Sequence, residues 1–223
     1  VKPFVFTNLA TTLDGKIADF KNPKAYLGTP FDRQVMQTIR KKADVIVVGA
    51  STLRARPHCY TVKSQTKKPQ PVNAVITRSG DLDSNIPFWA DPDVVRFVFT
   101  TTQGFQRASE AAKERAFVVC ADDETGHGVD PLKVVNRLAE SQLSQILIEG
   151  GGEIMGLFLK KNLVDEINLT LTPWFMGGAG NPSLVSIEET FHPWVSLKLK
   201  KIKKVKNEIY LNYSVINQRN KRK

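Results

Sequence analysis

Gln145-Ile-Leu-Ile-Glu-Gly-Gly-Gly-Glu-Ile-Met-Gly-Leu-Phe-Leu159 is a short apolar run that ends in three glycines and restarts with helical spacing. Ile146, Leu147 and Ile148 suit a strand covered on both faces. Ile154, Leu157 and Phe158 recur at the intervals of an amphipathic helix. The stretch therefore reads as strand, tight turn, helix. With no Cβ at Gly150, Gly151 and Gly152, backbone N–H groups can come close to a ligand, and the positive end of the helix dipole favours phosphate oxygens. A plain connector would have no need of three glycines, which give up chain entropy on ordering. Gly150, Gly152 and Gly156 fit G-x-G-x-x-x-G. A dinucleotide fingerprint, however, opens the first βα unit and is followed by an acidic residue closing the second strand. Here several elements come first, and the next strand, Glu166 to Leu171, carries its acids at the start. The expectation is a diphosphate cradle in another α/β nucleotide fold.

Working outward, Phe4 to Leu9 reads as a strand and Asp14-Gly15 as a turn. Thr29 is a plausible N-cap for a helix opened by Pro30, with Val35, Met36 and Ile39 inward and Arg40-Lys41-Lys42 at its carboxyl end. Asp44 to Ala50 is a buried strand reaching Gly49, and Ser51-Thr52 can cap a short helix after it. Lys63 to Pro71 reads as loop, Val72 to Thr77 and Val94 to Thr100 as strands, Gln103 to Arg115 as helix and Ala116 to Cys120 as strand. Asp130-Pro131 starts a helix with Leu132, Val135 and Leu138 inward. After the glycine turn and its helix come a strand from Val164 to Leu171, a flexible loop at Gly177-Gly178-Ala-Gly180, and a hairpin of Val195–Val205 with Glu208–Ile216. Alternating β and α units followed by consecutive strands predict a mostly parallel sheet with antiparallel strands at its end.

The 223 residues suffice for one large α/β domain, expected over residues 1–217, with 218–223 a basic tail. No apolar run reaches the length of a membrane span, and Val-Lys-Pro-Phe-Val-Phe at the start lacks the features of a signal peptide, so a cytoplasmic location is expected. Cys59 and Cys120, far apart and without a C-x-x-C neighbour, argue against a disulfide framework or a metal site and read as reduced, packed thiols. The net charge of +10 calls for an anionic partner to be considered. Much of it lies between Lys198 and Lys206 around Leu197, Leu199 and Ile202, in roughly the alternation of a solvated strand face. That run lacks the interleaved aromatics of a single-strand platform, which disfavours nucleic acid.

Four segments together resemble a known family: Thr12-Leu-Asp-Gly-Lys16, Val48-Gly-Ala-Ser-Thr-Leu53, Pro71-Val-Asn-Ala-Val-Ile-Thr-Arg78, and Ile148-Glu-Gly-Gly-Gly152 with Gly156. With Leu163-Val-Asp-Glu166 and Thr172-Pro173 through Gly177-Gly178, they are similar to the reductase domain of riboflavin biosynthesis, a relative of dihydrofolate reductase. The resemblance implies a dihydrofolate-reductase-like three-layer α/β/α fold, usually homodimeric. It also implies that NADPH is used to reduce the ribosyl group of 5-amino-6-(5-phosphoribosylamino)uracil to a ribityl chain. Bifunctional relatives carry an upstream zinc deaminase domain with an H-x-E…P-C-x-x-C signature. No such signature is present, so a stand-alone reductase or a fragment is expected.

For the cofactor, the resemblance implies Gly150, Gly151, Gly152 and Glu153 at the diphosphate, with Gly49, Ser51 and Thr52 from a neighbouring strand end. Thr77, Arg78 and Ser79 resemble the place where such reductases meet the adenosine 2′-phosphate, and an arginine fork with hydroxyls suits a dianion. Gly15 permits close approach of a flap to nicotinamide. For the substrate, the resemblance carries over to Asn8, Arg33, Arg40, Lys63 and Glu149. Asn8 and Glu149 are polar groups at ends of apolar strands, where a ligand can satisfy them. Asp14 and Glu149 are the candidate proton donors, with water as a third source. One departure stands out: Arg54-Ala-Arg56-Pro57 occupies the place where the family has an acidic pair before the proline. Arg56 sets a cation near the expected ribose. This opens an alternative, a dihydrofolate-reductase-like enzyme for another pyrimidine, pterin or carbonyl compound.

Overall fold

The computed structural model describes residues 2–23, 25–63 and 69–216. The expected basic tail and part of the Lys63–Pro71 loop lie outside the described residues. The chain divides into two compact units: residues 1–3 with 40–147, and residues 4–39 with 148–223.

The first unit contains β2 (Val45–Gly49), α2 (Ala50–Ala55), β3 (Val72–Ile76), β4 (Arg96–Thr100), α3 (Phe105–Ala112), β5 (Phe117–Cys120), α4 (Pro131–Glu140) and β6 (Gln145–Ile148). Its strands run in the order β5-β4-β3-β2-β6, and β2 with β3, β3 with β4 and β4 with β5 are parallel pairs. β2 is buried along its whole length, the pattern of a strand covered on both faces. Asp130 caps α4 by accepting from the Leu132 N–H at 2.9 Å, and Pro131 takes the first helical position. Val134 joins Val135 and Leu138 in the core, whereas Leu132, expected inward, is exposed. A helix beginning at Pro131 turns its second residue outward.

Arg96 opens β4 and is buried. Its guanidinium donates to the carbonyls of Phe88 (2.8 Å), Val94 (2.6 Å) and Asp91 (2.6 Å), and lies 3.2 Å from the Cys59 sulfur. Cys59 is thus half-buried in a polar setting and Cys120 is exposed. This corrects the expectation of two packed thiols: Cys120 sits last in β5, whose Phe117 and Cys120 both face solvent.

The second unit contains β1 (Phe4–Thr11), α1 (Pro30–Arg40), α5 (Gly152–Lys160), β7 (Glu166–Leu171), β8 (Leu197–Val205) and β9 (Glu208–Val215), with α1 ending at the unit boundary. Its order is β1-β7-β9-β8. β1 and β7 are parallel; β7 with β9 and β9 with β8 are antiparallel. The strands are therefore mostly parallel and end in antiparallel ones, as expected. α1 is seated on this sheet by polar contacts. The Thr29 N–H and hydroxyl both donate to Glu208, at 2.8 and 2.7 Å, and the Tyr210 hydroxyl donates to the same carboxylate. Thr170 donates to Asp32 at 2.6 Å. The Thr29 hydroxyl, expected to cap the helix, is thus spent on Glu208.

β8 is exposed along nearly its whole length, as the sequence suggested for a solvated strand. Lys200 falls in a bulge between Leu199 and Lys201, so Leu197, Leu199 and Ile202, opposite Val215, Tyr213 and Leu211, share one face. All three are exposed, Ile202 at 61 %.

Candidate functional site

The candidate residues divide between the two units. In the first, Gly49 ends β2 and stands at the N-cap of α2 with no side-chain acceptor for the first amides. Ser51 and Thr52 lie inside α2, not ahead of it, so they do not cap it: the helix starts at Ala50, two residues before the start a Ser51 cap would give. Gly49 pairs in register with Ile76, which sets Thr77, Arg78 and Ser79 beyond the adjacent strand end. Thr77 is buried, while Arg78 and Ser79 are exposed. The Arg78 carbonyl accepts from Thr101 at 2.9 Å, fixing the backbone and leaving the guanidinium to solvent. A fixed backbone carrying a solvated guanidinium suits capture of a phosphate dianion.

Arg40, Arg56 and Lys63 also fall in this unit. Arg40 is 6 % exposed, donates to the Thr61 carbonyl at 3.1 Å, and lies 5.4 Å from the Tyr60 ring. One of its donors is thus directed at its own chain. Arg56 closes α2 with its N–H on the Thr52 carbonyl, and its own carbonyl accepts from Tyr60 at 3.3 Å. His58 stacks on Tyr60 at 5.2 Å. Burial pushes the His58 imidazole down from its ordinary value, and the charges of Arg40 and Arg56 add to the effect. Lys63 is exposed.

In the second unit the glycine turn has the conformation that only glycine adopts easily: φ is 149° at Gly150 and 79° at Gly151. Gly151 is the N-cap of α5 and supplies no side chain, so the first-turn amides of α5 have no side-chain acceptor. Such an end is complementary to an anion. Gly152 has a different reason. A Cβ there would lie 2.1 Å from the Ser183 carbonyl oxygen, and Ser186 donates its N–H to the Gly152 carbonyl at 3.0 Å. Gly156 likewise meets Ile187, at 2.3 Å. Of the three glycines expected to hold diphosphate, Gly152 is thus dictated by a strap of chain packed against α5. Glu153 is exposed in the first turn of α5, and Glu149 is half-buried before the turn.

The same strap reaches the Asp14–Gly15 flap. Lys16 bridges Ser183, Ile17 donates to the Pro182 carbonyl at 2.9 Å, and Leu184 donates to the Gly15 carbonyl at 3.0 Å. The loop expected to be flexible is held from this side as well: Asp14 accepts from Thr12 (2.6 Å), Met176 N (3.0 Å) and Gly177 N (2.7 Å). The Thr12 hydroxyl and the Met176 and Gly177 amides lower the Asp14 carboxyl to about 2. The carboxylate's acceptor positions are thus turned toward the flap and the loop. Its geometry makes it a positioning group for the flap. Gly15 has φ 78° and open space around it.

Asn8 is half-buried on β1, in register with Asn168, which is in register with Asn212. Asn212 donates to Asn168 at 2.8 Å, and Asn168 to the Thr7 carbonyl at 3.1 Å. Arg33 is exposed, its guanidinium 4.9 Å above the Tyr26 ring. Sequence reasoning missed the Asp32–Thr170 and Glu208–Tyr210 contacts, because Glu208 follows Asn207 in a hairpin turn and nothing local marks it as 2 % exposed. Burial pushes the Asp32 carboxyl up, with Glu208 and Glu149 adding and the Thr170 hydrogen bond opposing. Among the described residues, no group of His, Cys, Asp or Glu is placed to hold a metal ion, and no helix is long and apolar enough to cross a membrane.

Known proteins share this architecture. A pyrimidine reductase-like protein of Corynebacterium diphtheriae superposes with a TM-score of 0.80 at 21 % identity, over 97 % of this chain and 93 % of that one. The Saccharomyces cerevisiae riboflavin biosynthesis reductase Rib7 does so with a TM-score of 0.72 at 18 % identity, over 96 % and 90 %. In sequence, the 2,5-diamino-6-ribosylamino-4(3H)-pyrimidinone 5′-phosphate reductase of Archaeoglobus fulgidus is 26 % identical over 82 % of this chain and 86 % of its own length. The riboflavin biosynthesis protein RibD of Aquifex aeolicus is 26 % identical over 92 % of this chain, which spans 55 % of that relative. The sequence pattern of the RibD C-terminal domain runs through residues 3–211, from the first strand through the glycine turn and into the last strand. The chain therefore belongs to the RibD C-terminal domain family.

Proposed function

We propose that this protein is an NADPH-dependent reductase of riboflavin biosynthesis, converting the ribosyl group of 5-amino-6-(5-phosphoribosylamino)uracil to a ribityl chain. The observation that carries this reading is the α5 N-terminus behind Gly150 and Gly151, which has no side-chain cap, in a family whose members are named as reductases. Arg78 and Ser79 supply the charge and hydroxyl suited to a 2′-phosphate, which favours NADPH over NADH. Bound NADPH supplies the hydride, and the protein's share is orientation and charge placement. Asp14 fixes the flap, Gly15 lets it lie flat against a ring, and Asn8 and Glu149 offer hydrogen bonds to sugar hydroxyls or a pyrimidine edge. The candidate cations for a phosphate are Arg33 in the second unit and, in the first, Lys63 and Arg56, with Arg40 buried on its own chain. The enzyme is proposed to be cytoplasmic and homodimeric, with the exposed Leu197, Leu199 and Ile202 face of β8 as the surface a second copy covers.

A second reading concerns the pyrimidine. Relatives matched along most of their length are named for 2,5-diamino-6-ribosylamino-4(3H)-pyrimidinone 5′-phosphate, whose ring still carries the 2-amino group. NADPH oxidation followed by absorbance with each of the two pyrimidines, and with dihydrofolate as control, separates the readings. Turnover of either phosphoribosyl pyrimidine is expected. Activity confined to dihydrofolate or a carbonyl compound would replace this assignment with the alternative that Arg56 raises.

A further inference from the structure

Trp174 lies three residues past the carboxyl end of β7, the side of a strand where ligands of α/β sheets collect. It is 57 % exposed. Its backbone is held by the flap, since Leu13 donates to the Trp174 carbonyl at 2.8 Å and the Trp174 N–H donates to the Thr172 carbonyl at 2.9 Å. Its side chain is held too: the indole N–H donates to the Leu27 carbonyl at 3.1 Å. An indole whose only donor is satisfied by its own chain, and whose backbone is fixed on both sides, offers a solvent-facing ring surface in one orientation. Such a group costs little further entropy to use, unlike a free surface tryptophan. Next to the carbonyl that pins it stands Tyr26, with the Arg33 guanidinium 4.9 Å over its ring. A fixed aromatic face suits a planar heterocycle.

We propose that Trp174 is a stacking residue for the substrate, its indole face packing on the pyrimidine ring and setting specificity for a planar heterocycle. This rests on the reductase reading above. The nicotinamide ring has the same stacking chemistry and is the other source to be told apart.

The experiment is steady-state kinetics of the full chain, wild type beside Trp174→Ala, Trp174→Phe and Trp194→Phe, with NADPH and the phosphoribosylamino-pyrimidine varied in turn. Thermal melts check that each variant is folded. Stacking of a base on an aromatic ring is commonly worth about tenfold or more in affinity. Trp174→Ala is expected to raise KM for the pyrimidine about tenfold and leave KM for NADPH within about twofold. Trp174→Phe, which keeps a ring but loses the pinned N–H, should stay within about threefold of wild type. Tryptophan emission supplies a second readout, because the chain has three tryptophans and one of them, Trp89, is buried. Quenching by the pyrimidine should persist in Trp194→Phe and vanish in Trp174→Phe, while NADP+ alone leaves the Trp174 component unquenched. An unchanged pyrimidine KM in Trp174→Ala overturns the inference, and so does a rise that falls on NADPH instead. A wild-type protein that oxidises NADPH with neither pyrimidine overturns the reductase reading itself, and this inference with it.

Discussion

A methyl group added to Gly152 would lie 2.1 Å from the Ser183 carbonyl oxygen, whereas one added to Gly15 meets nothing within 4 Å but must sit at φ 78°. The two glycines are therefore required for different physical reasons. Gly152→Ala should cost about 1–3 kcal/mol through overpacking against the strap, and Gly15→Ala about 1–2 kcal/mol through backbone strain alone. Urea unfolding of both variants checks the difference, and hydrogen exchange of residues 181–187 should rise only in Gly152→Ala. Asp14 gives a prediction with a definite sign. Its carboxyl is lowered to about 2 from 3.8, so the flap contacts it makes are present above about pH 4 and are lost as pH falls through 2. Exchange protection of the Met176 and Gly177 amides should follow that titration, and Asp14→Asn should lower their protection at neutral pH. Thr7 makes the opposite case. Its hydroxyl is buried without a partner among the described residues, so Thr7→Val should raise the melting temperature, by an amount corresponding to about 1 kcal/mol.

At the scale of elements, β4 depends on a charge that has no salt-bridged carboxylate among the described residues. Arg96 is compensated by three carbonyls, and Arg96→Met would leave the oxygens of Phe88, Val94 and Asp91 without this donor. A loss of about 3 kcal/mol is expected in denaturant unfolding, because unmet buried acceptors each carry a desolvation cost. β8 carries the face proposed above for a second copy. Its bulge gathers Leu197, Leu199 and Ile202 on one face, and a face of that kind stays soluble best when covered. Ile202→Glu is expected to shift sedimentation from dimer to monomer, and sedimentation unchanged from wild type would argue against this face as the interface. Neither feature shows in the order of residues alone. The lysines of β8 alternate well enough to read as a solvated strand, but one extra residue at the bulge decides which side chains share a face. Arg96 is buried where the Phe88 and Asp91 carbonyls meet its guanidinium, contacts that strand spacing does not reveal.

For the molecule as a whole, the charge of +10 is distributed mostly as exposed lysine, and its specific use is expected at a few guanidinium groups. Arg78→Ala should raise KM for NADPH about 10- to 100-fold and leave KM for NADH unchanged, the size expected for losing hydrogen bonds to a charged group; an equal rise for both nucleotides would assign Arg78 to another task. The local code was sufficient for the elements. Buried runs such as Val45–Gly49, the Asp130-Pro131 start of α4 and the strand–glycine–helix of residues 145–159 each carry period and turn chemistry within a dozen residues, and the ordered motifs carry the family. What spacing cannot encode is the company a residue keeps at long range. Only the fold brought Ser183 onto Gly152, Met176 and Gly177 onto Asp14, and Thr29 onto Glu208, and so gave a glycine of the turn a packing neighbour, a flap carboxylate a clasp and a hairpin acid a helix to anchor. Sequence by itself determined which segments form strands, helices and turns, because those choices rest on neighbours a few residues apart. Tertiary structure alone decided which polar groups remain open to a ligand, because hydrogen bonds between segments more than a hundred residues apart fill some of them first.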